Sequence, residues 1–311
     1  FFTRLYSMKI KVTTIAFSQN KDLVKKAKYY FDDISFNNEG IRFTENQLIT
    51  YLSNCTAAII GLDVINEHVL RKLPNLKYIA KYGVGLDNID LEACKKYNVS
   101  ILWNGGVNKT SVAELTIGSI LSLCRNIYQT SNSLKKGVWD KRGGFELTNK
   151  SVGIIGLGYI GSEVIRLLRV FGCNIYGNDI VDKVSYAKEN SVKLVSKEEI
   201  FKRCDIISIH APLTDYTRNL FTKEVFKKMK SNSILINTSR GGIVNENHLK
   251  EALLNKIIFA AAIDVYNEEP PKNLDLINLP NLICTPHIGG NSSEAVYNMG
   301  LSAIELLRKN I

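Results

Sequence analysis

The sequence predicts an α/β protein of two domains, each built on a doubly wound parallel sheet with helices on its faces. The chain has 311 residues, more than a single hydrophobic core usually accommodates. Short apolar runs alternate along it with segments whose apolar residues recur at helical spacing, the pattern of parallel α/β sheets. A glycine-rich turn at 156–161 also joins one such run to one such segment. These three observations define the fold class.

The composition is that of a soluble globular protein, with 45% hydrophobic and 23% charged residues. The sequence contains no apolar run of the roughly 18–20 residues that span a bilayer, and its N-terminus does not resemble a signal peptide. Six dispersed cysteines form no CxxC pair, so we expect buried, reduced thiols and a cytoplasmic location. Residues 1–7 precede Met8 and are left out of the fold prediction, because a vector or a mis-assigned start would explain them; whether they are native stays open.

The formal charge of +10 raises the alternative of a nucleic-acid partner. The lysine pairs are spread over helix-like segments, and no basic-aromatic stripe or nucleic-acid motif accompanies them. A solvated lysine-rich surface that favours acidic ligands explains the charge better. Four histidines and unpaired cysteines do not supply a clustered zinc site. We therefore expect no nucleic acid, no membrane and no metal.

The first domain is predicted to comprise residues 8–103 and 287–311. Its predicted strands are Ile10–Phe17, Ala57–Gly61, Leu76–Ala80 and Val99–Leu102, and its helices are Lys21–Tyr30, Thr44–Leu52 and Asp90–Tyr97. The loop KYGVGLDNID at 81–90 follows a strand end, where parallel sheets bind ligands, although a simple glycine-rich connector explains it equally well. An amphipathic helix over Ser292–Lys309, capped by Ser292 or Ser293, is expected to return to this domain.

The second domain is predicted to span residues 104–286. Asn108–Asn126 is an apolar helix, expected to be buried between domains or at a subunit contact, and Lys135–Lys150 is a polar connector. The remaining predicted strands are Lys193–Val195, Asp205–His210, Ser233–Asn237, Phe259–Asp264 and Leu282–Thr285, and the helices are Lys197–Arg203, Lys223–Met229 and Glu246–Leu254. With the two strands that flank the glycine turn, this gives about seven strands.

The segment Ser151–Asp179 reads strand, glycine turn, helix, strand and terminal acid, the order that binds dinucleotides. Gly156 allows the tight turn, Gly158 lets the backbone approach a pyrophosphate, and Gly161 lets helix and strand pack closely. The N–H groups at the helix start face the anion. Asp179 can accept hydrogen bonds from a ribose 2′-hydroxyl and would repel a 2′-phosphate. An ordinary βαβ turn followed by an incidental acid is the alternative.

Three later strands end in polar residues suited to reducing a 2-oxo acid. Arg240 follows one strand, Asp264 and Glu269 follow the next, and His287 follows the last. A guanidinium offers a bidentate fork to a carboxylate, and a histidine can give a proton to the developing alkoxide. A carboxylate behind the histidine would fix its tautomer and raise its pKa.

Each of these residues has a simpler interpretation. An arginine after a strand is commonly a surface charge, Glu269 could cap a turn, and His287 could be a turn residue. Their shared edge of the sheet strengthens the functional interpretation. His210, another histidine at a strand end, is predicted to lie beside the cofactor and is the main rival to His287 as the acid.

With these residues in place, the sequence resembles the D-isomer-specific 2-hydroxyacid dehydrogenase family, most closely its 3-phosphoglycerate dehydrogenase-like branch. The resemblance covers the chain from Met8 onward, and its last three segments in this order are highly specific. The segments are KYGVGLDNID (81–90), NKTSVAELT (108–116), GLGYIG (156–161) with Asp179, HAPLT (210–214), NTSRGGIVNE (237–246), DVYNEEPP (264–271) and TPHIGG (285–290).

This resemblance implies a flavodoxin-like substrate domain and a Rossmann NAD-binding domain with a cleft between them, and NAD as the cofactor. It implies that Arg240 binds the substrate, that His287 is the acid/base and that Glu269 pairs with it. The implied NAD-binding residues are Gly156, Gly158, Tyr159, Ile160, Gly161, Asp179, His210, Ala211, Pro212, Thr217, Thr238, Ser239, Arg240, Asp264, His287 and Gly289. The implied substrate-binding residues are Lys81, Val84, Gly85, Asn108, Arg240 and His287. Members of the family are typically dimers joined through the nucleotide domain and the arm around Trp139.

The expected reaction is oxidation of D-3-phosphoglycerate to 3-phosphohydroxypyruvate, as in serine biosynthesis. The alternatives are a glyoxylate/hydroxypyruvate reductase, another dehydrogenase of this fold such as one for formate or phosphite, and a non-catalytic NAD-sensing corepressor. Lys81 stands where phosphoglycerate-specific members often have arginine, which keeps a cation for a phosphate but loses the bidentate fork. The sequence stops at Ile311, so serine feedback through the C-terminal regulatory extension of some members is not expected.

Overall fold

The computed structural model describes residues 8–311, and residues 1–7, set aside above as an extension, lie outside the described part. The described chain divides into two compact units. The first contains the described residues up to Asn108 together with Gly290–Ile311, and the second is Lys109–Gly289. The boundaries between the units thus follow Asn108 and Gly289. The sequence predicted boundaries after residues 103 and 286.

The secondary structure alternates between strands and helices, as predicted. The strands are β1 (Ile10–Val12), β2 (Ile34–Phe36), β3 (Ala57–Ile60), β4 (Tyr78–Lys81), β5 (Ser100–Leu102), β6 (Ser151–Ile155), β7 (Asn174–Asn178), β8 (Lys193–Leu194), β9 (Ile206–Ile209), β10 (Ile234–Asn237), β11 (Ala260–Ile263) and β12 (Leu282–Cys284). The helices are α1 (Ile15–Gln19), α2 (Lys21–Tyr30), α3 (Glu45–Leu52), α4 (Glu67–Arg71), α5 (Leu91–Lys96), α6 (Lys109–Cys124), α7 (Ile127–Lys135), α8 (Tyr159–Leu168), α9 (Val184–Asn190), α10 (Lys197–Arg203), α11 (Lys223–Phe226), α12 (Glu246–Leu254), α13 (Leu274–Ile277) and α14 (Ser293–Asn310). Two short 3₁₀ turns occur at Arg169–Phe171 and Gly241–Ile243.

The first unit is a parallel sheet in the order β2-β1-β3-β4-β5, the flavodoxin-like order. One face packs against α2 and α14 around Phe17, Leu23 and Met299, and the other covers a core that includes Leu52, Ile60 and Leu70. Helix α14 begins after Ser292, whose Oγ accepts the N–H of Ala295 at 3.2 Å. This cap confirms one of the two serines that the sequence offered.

One predicted element of the first unit is wrong in part. The run Ile10–Phe17 is not a single strand, because β1 ends at Val12 and α1 begins at Ile15. Phe17 is fully buried in the helix and contacts the Phe36 and Tyr82 rings at 6.3 and 6.2 Å between centroids. A short apolar run that is buried on all sides has the same composition in a strand and in one helical turn.

The second unit is a seven-stranded parallel sheet in the order β12-β11-β10-β9-β6-β7-β8, which confirms the doubly wound prediction. The strand order reverses between β6 and β9, and ligands bind beyond the carboxyl ends of strands at such a point. Each face of the sheet carries a continuous apolar core, one centred on Phe201, Phe221 and Phe226 and the other on Ile154 and Ile165.

Helix α6 is buried within the second unit, because its apolar residues pack against α8 and against β10 and β11. The next helix, α7, was not predicted and has no buried residue. It leads into a polar segment in which Val138 and Trp139 are 55% and 77% exposed. None of the described helices combines the length and the apolar character needed to cross a bilayer.

Candidate active site

The glycine turn after β6 is shaped by two close backbone contacts. Gly156 has φ +95°, and a Cβ there would lie 2.6 Å from the carbonyl oxygen of His210. At Gly161 a Cβ would lie 1.9 Å from the carbonyl oxygen of Gly156. A side chain at either position would therefore displace the backbone. Both glycines are required by the fold of the turn itself.

Gly158 is different, because a Cβ at this position would meet nothing within 4 Å and its φ of −78° suits any residue. It is the N-cap residue of α8, and no described side chain caps that end of the helix. The first N–H groups of α8 therefore adjoin open space. An uncapped helix start beside open space fits a pyrophosphate, which binds such N–H groups and the positive end of the helix dipole.

Asp179 follows β7 and holds the glycine turn. Its Oδ2 accepts the N–H of Leu157 at 2.6 Å, and its Oδ1 accepts the N–H of Val181 at 2.9 Å. The half-buried carboxylate lines an open depression of about 250 Å³ between the ends of β7 and β8. A carboxylate in this position can accept further hydrogen bonds from a ribose, as the sequence predicted.

His210 ends β9 directly beside Gly156. Its Nε2 lies 2.8 Å from Ser208 Oγ, and its Nδ1 is buried without a hydrogen-bond partner among the described residues. Burial lowers the pKa of His210 to about 3, so the uncharged ring is favoured at pH 7 over the imidazolium form that a general acid needs. The low pKa therefore disfavours His210 as the acid, and its position beside the cofactor stays a prediction. In the loop that follows, Thr217 Oγ1 donates to the carbonyl of Pro212 at 2.7 Å.

The loop after β10 positions Arg240 through buried polar contacts. Asn237 Nδ2 donates to the carbonyl of Arg240 at 2.9 Å, and Asn237 Oδ1 accepts the Oγ–H and N–H of Ser239 at 2.9 and 3.1 Å. Thr238 Oγ1 lies 3.0 Å from Thr116 Oγ1 on α6. A Cβ at Gly241 would lie 2.0 Å from the carbonyl carbon of Tyr266, so the Arg240 loop lies against the backbone that follows β11.

Asp264 is the residue that organises the loop TPHIGG. The carboxylate is 2% exposed. Its Oδ1 accepts the hydroxyl of Thr285 at 2.6 Å and the N–H of Ile288 at 2.8 Å, and its Oδ2 accepts the N–H of Gly289 at 2.7 Å. These contacts show that Asp264 holds the loop, and the contact on the nicotinamide side that the resemblance implied stays a prediction.

His287 and Glu269 form a hydrogen-bonded pair. His287 Nδ1 lies 2.7 Å from Glu269 Oε2, and both side chains are about two-fifths exposed. Glu269 Oε1 accepts the N–H of Tyr266 at 3.1 Å, and the N–H of His287 donates to the carbonyl of Thr285 at 3.0 Å. His287 has φ +55°, a conformation uncommon for residues other than glycine, and such strain is often found at functional sites. Each partner of the pair is thus held by the backbone.

The structure brings the predicted catalytic residues to one edge of one sheet. Arg240, Glu269 and His287 follow β10, β11 and β12, which are neighbours in the sheet, and adjacent strands lie only about 4.8 Å apart. Sequence reasoning missed two residues that hold them, Asn237 and Tyr266. An asparagine that ends a buried strand was the available signal for the first, because a buried amide must find partners.

The predicted substrate residues of the first unit lie around the carboxyl end of β4. Val84 and Gly85 are half-buried in the loop after β4, and Trp103 Nε1 donates to the carbonyl of Val84 at 2.9 Å. Asn108 is 9% exposed, and its Oδ1 has no hydrogen-bond partner among the described residues. Lys81 is buried and donates to the carbonyl of Gly61 and to an asparagine side chain.

No three histidine, cysteine, aspartate or glutamate side chains converge as metal ligands in the described part of the chain. Its cysteines are free thiols, and burial raises the pKa of Cys124 and Cys204 to about 12.

Comparison with known proteins agrees with this geometry. Residues 117–289 match the family model described as D-isomer specific 2-hydroxyacid dehydrogenase, NAD binding domain. The chain is 39% identical over 270 residues to the D-3-phosphoglycerate dehydrogenase of Methanocaldococcus jannaschii, covering 86% of this chain and 52% of that protein. It is 38% identical over 252 residues to the hydroxypyruvate reductase of Thermotoga maritima, covering 79% of this chain and 81% of that protein.

Solved structures of D-lactate dehydrogenases have a similar fold. The D-lactate dehydrogenase of Escherichia coli superposes with a TM-score of 0.82 and 28% identity, covering 97% of this chain and 98% of that one. The D-lactate dehydrogenase of Aquifex aeolicus, solved with NAD and lactic acid, gives 0.85 and 25%, covering 97% and 94%.

The fold and the site define a dinucleotide-binding α/β protein with a hydrogen-bonded histidine–glutamate pair. More narrowly, the chain belongs to the D-isomer specific 2-hydroxyacid dehydrogenase family, which confirms the resemblance seen in the sequence. It spans about half the length of the D-3-phosphoglycerate dehydrogenases that it matches.

Proposed function

We propose that the protein is an NAD-dependent oxidoreductase that interconverts a D-2-hydroxy acid and its 2-oxo acid. The observation that carries the proposal is the Glu269–His287 pair, with Nδ1 and Oε2 at 2.7 Å, on the strand edge that also holds Arg240 and the glycine turn. A guanidinium, a paired histidine and a dinucleotide-type turn are the groups that this reaction requires.

Each residue of the site has a proposed task. Arg240 binds the substrate carboxylate and carbonyl through its planar fork. Because Nδ1 of His287 is directed at Glu269, Nε2 is the atom that exchanges the proton with the substrate oxygen. In oxidation Nε2 takes the hydroxyl proton, and in reduction it returns that proton to the carbonyl oxygen. Glu269 fixes the tautomer and stabilises the protonated ring.

NAD, when bound, takes up the hydride in oxidation and supplies it in reduction. We place its pyrophosphate at the start of α8 over Gly158, and its adenosine ribose at Asp179. The open space at Gly158 and the uncapped helix support this placement. The other cofactor residues named from the sequence, including Tyr159, Ala211 and Thr238, are proposed to line the remainder of the site.

D-3-phosphoglycerate is the leading candidate substrate, with 3-phosphohydroxypyruvate as its product in serine biosynthesis. The relatives named D-3-phosphoglycerate dehydrogenase support it, at 34–39% identity. A hydroxypyruvate reductase is the second candidate, because the chain covers 81% of the Thermotoga maritima hydroxypyruvate reductase but only 52% of the Methanocaldococcus jannaschii D-3-phosphoglycerate dehydrogenase.

We also propose a cytoplasmic homodimer. Helix α7 and the segment after it expose Ile127, Leu134, Val138 and Trp139 at 53%, 56%, 55% and 77%. A set of exposed apolar side chains this extensive is typical of a subunit interface. Light scattering after gel filtration should give twice the mass of the chain for the wild type and the single mass for Trp139→Glu.

The deciding experiment follows NADH absorbance with purified protein and a panel of 2-oxo acids, including 3-phosphohydroxypyruvate, hydroxypyruvate and glyoxylate. We expect turnover with at least one of them, and the highest kcat/KM identifies the substrate. NADH binding without turnover of any 2-oxo acid, and without oxidation of formate or phosphite, would instead support the NAD-sensing alternative.

A further inference from the structure

The carboxyl ends of β3 and β4 are tied together by a buried network around Lys81. Lys81 is 5% exposed, and its Nζ donates to the carbonyl of Gly61 and, at 2.8 Å, to Oδ1 of Asn88. Asn88 Nδ2 donates in turn to the carbonyls of Gly61 and Asp63, at 3.1 and 2.5 Å. Two side chains thus connect the end of β3 to the end of the loop that follows β4.

The backbone of the same loop is anchored at both ends. Tyr82 N–H donates to the carbonyl of Ile60 at 2.9 Å, and Ile65 N–H donates to the carbonyl of Asn88 at 2.8 Å. Between these anchors Gly83 has φ +113°, a conformation that is strained for other residues. The intervening segment, 84–87, lies between these anchors, and the Lys81–Asn88 contact adds a side-chain link at its far end.

Because Lys81 is buried, its ammonium needs hydrogen-bond acceptors from the protein. An ammonium removed from water must be matched by acceptors, or its desolvation cost is not offset. Here the carbonyl oxygen of Gly61 and the amide oxygen of Asn88 supply acceptors from two different segments of the first unit. A lysine bound in this way joins the end of β3 to Asn88 at the far end of the loop.

We propose that Lys81 is a positioning residue, which fixes the loop 82–89 through Asn88 and Gly61 and acts equally on phosphorylated and unphosphorylated substrates. In the proposed function, Val84 and Gly85 lie on the substrate side, so the loop has to be held in one conformation before substrate binds. The kinetic part of this proposal rests on the proposed function, and the part that concerns the loop does not.

The kinetic test compares Lys81→Met, Asn88→Ala and the control Lys77→Met, an exposed lysine just before β4. We expect Lys81→Met and Asn88→Ala to lower kcat/KM for 3-phosphohydroxypyruvate and hydroxypyruvate by the same factor, about tenfold or more, mainly through KM. The Kd of NADH should be unchanged, and so should all constants of Lys77→Met. A loss confined to the phosphorylated substrate would overturn the proposal, because it would make Lys81 a phosphate ligand.

Hydrogen exchange of the free protein tests the loop independently of activity. Peptides that cover 82–89 should exchange about tenfold faster in Lys81→Met and in Asn88→Ala, while peptides from Lys109–Gly289 keep the wild-type rate. Unchanged exchange at 82–89 in both variants would overturn the proposal. If the wild type reduces no 2-oxo acid, the proposed function fails, and this exchange result alone decides the role of Lys81. Asn88→Ala serves the same purpose if Lys81→Met does not fold.

Discussion

The two units are built alike but use the carboxyl edges of their sheets differently. In the first unit the polar groups at the strand ends bind one another: Lys81 bonds Gly61 and Asn88, and Thr13 Oγ1 donates to Asp63 Oδ2 at 2.5 Å. In the second unit the corresponding edge carries the glycine turn, Arg240 and the Glu269–His287 pair, with open space at Gly158. One edge is largely satisfied internally, and the other presents groups that a ligand can use.

This difference shows that a polar residue at a strand end is not by itself a site. Lys81 is the last residue of β4 and His287 lies three residues after β12, and the sequence made both of them candidate site residues. Lys81 is 5% exposed, whereas the His287 side chain is about two-fifths exposed and paired with a carboxylate. The exposed, carboxylate-paired His287 is accessible to a ligand, whereas Lys81 is buried against acceptors of its own unit.

The largest expected effect tests the chemical half of the comparison. His287→Ala should lower kcat by about 10²–10⁴-fold, the usual contribution of general acid–base catalysis. The Kd of NADH, measured by fluorescence titration, should change little, because the glycine turn is untouched. His248→Ala, a substitution on α12, is the matched control and should keep wild-type turnover. A kcat for His287→Ala within a few-fold of the wild type would show that His287 is not the acid/base and that the second unit's edge does not differ from the first in this respect.

Much of the fold could be predicted because burial repeats along the sequence. The strands β9 to β11 are buried throughout, so each appears as a continuous apolar run, and α2 has the predicted bounds Lys21–Tyr30. The sequence analysis missed β2 and α4, with three and five residues, because elements this short show no period. Helix α4 begins at a cap, in which Asn66 Oδ1 accepts the N–H of Val69 at 3.0 Å, and it buries only Val69 and Leu70.

The candidate site was predictable where residue type dictates chemistry and unpredictable where packing decides. Arg240, Glu269 and His287 could be chosen from their chemistry and their shared edge. That Asp264 holds the backbone of Ile288 and Gly289 could not, because a carboxylate at a strand end has the same sequence whether it binds a ligand or a loop. The neutral state of His210 follows from burial, which only three-dimensional contacts reveal.

The second-largest effect separates the two kinds of glycine in the turn. Gly161→Ala should destabilise the protein by about 2 kcal/mol or more, because its Cβ would lie 1.9 Å from a backbone oxygen. Gly158→Ala should keep the wild-type Tm, because a Cβ there meets nothing within 4 Å, but should weaken NADH binding by about tenfold or more where the pyrophosphate approaches. Scanning calorimetry and NADH titration provide the two readouts. A wild-type NADH affinity in Gly158→Ala would show that the pyrophosphate does not approach Gly158.

A smaller effect is expected at Asp179. This carboxylate holds the glycine turn, and its replacement tests whether it also binds ligand. Asp179→Asn keeps one oxygen for the Leu157 N–H but loses the charge. The ratio of kcat/KM for NADH over NADPH should fall by about tenfold or more, since the repulsion of a 2′-phosphate is removed. Asp182→Asn, three residues on, is the control for a general change in charge. An unaltered ratio in Asp179→Asn would assign the residue to the structure of the turn alone.

The smallest effect concerns His210, which ends β9 at the carboxyl edge of the second unit's sheet and has a buried Nδ1. Its pKa of about 3 in the folded protein lies below the usual value of 6.5, so the unfolded chain takes up a proton that the folded protein does not. Stability from this group is therefore present above pH 6.5 and is lost as the pH falls toward 3. Between pH 7 and 5.5 the loss should be about 1 kcal/mol. His210→Gln keeps a donor near Ser208 but does not titrate. Its free energy of unfolding, measured by denaturant titration, should therefore fall by less over this pH interval. The control His68→Gln, which replaces an exposed histidine, should follow the wild type. Equal losses in all three proteins would mean that the ring is not buried as a neutral group, and His210 would return as a rival to His287.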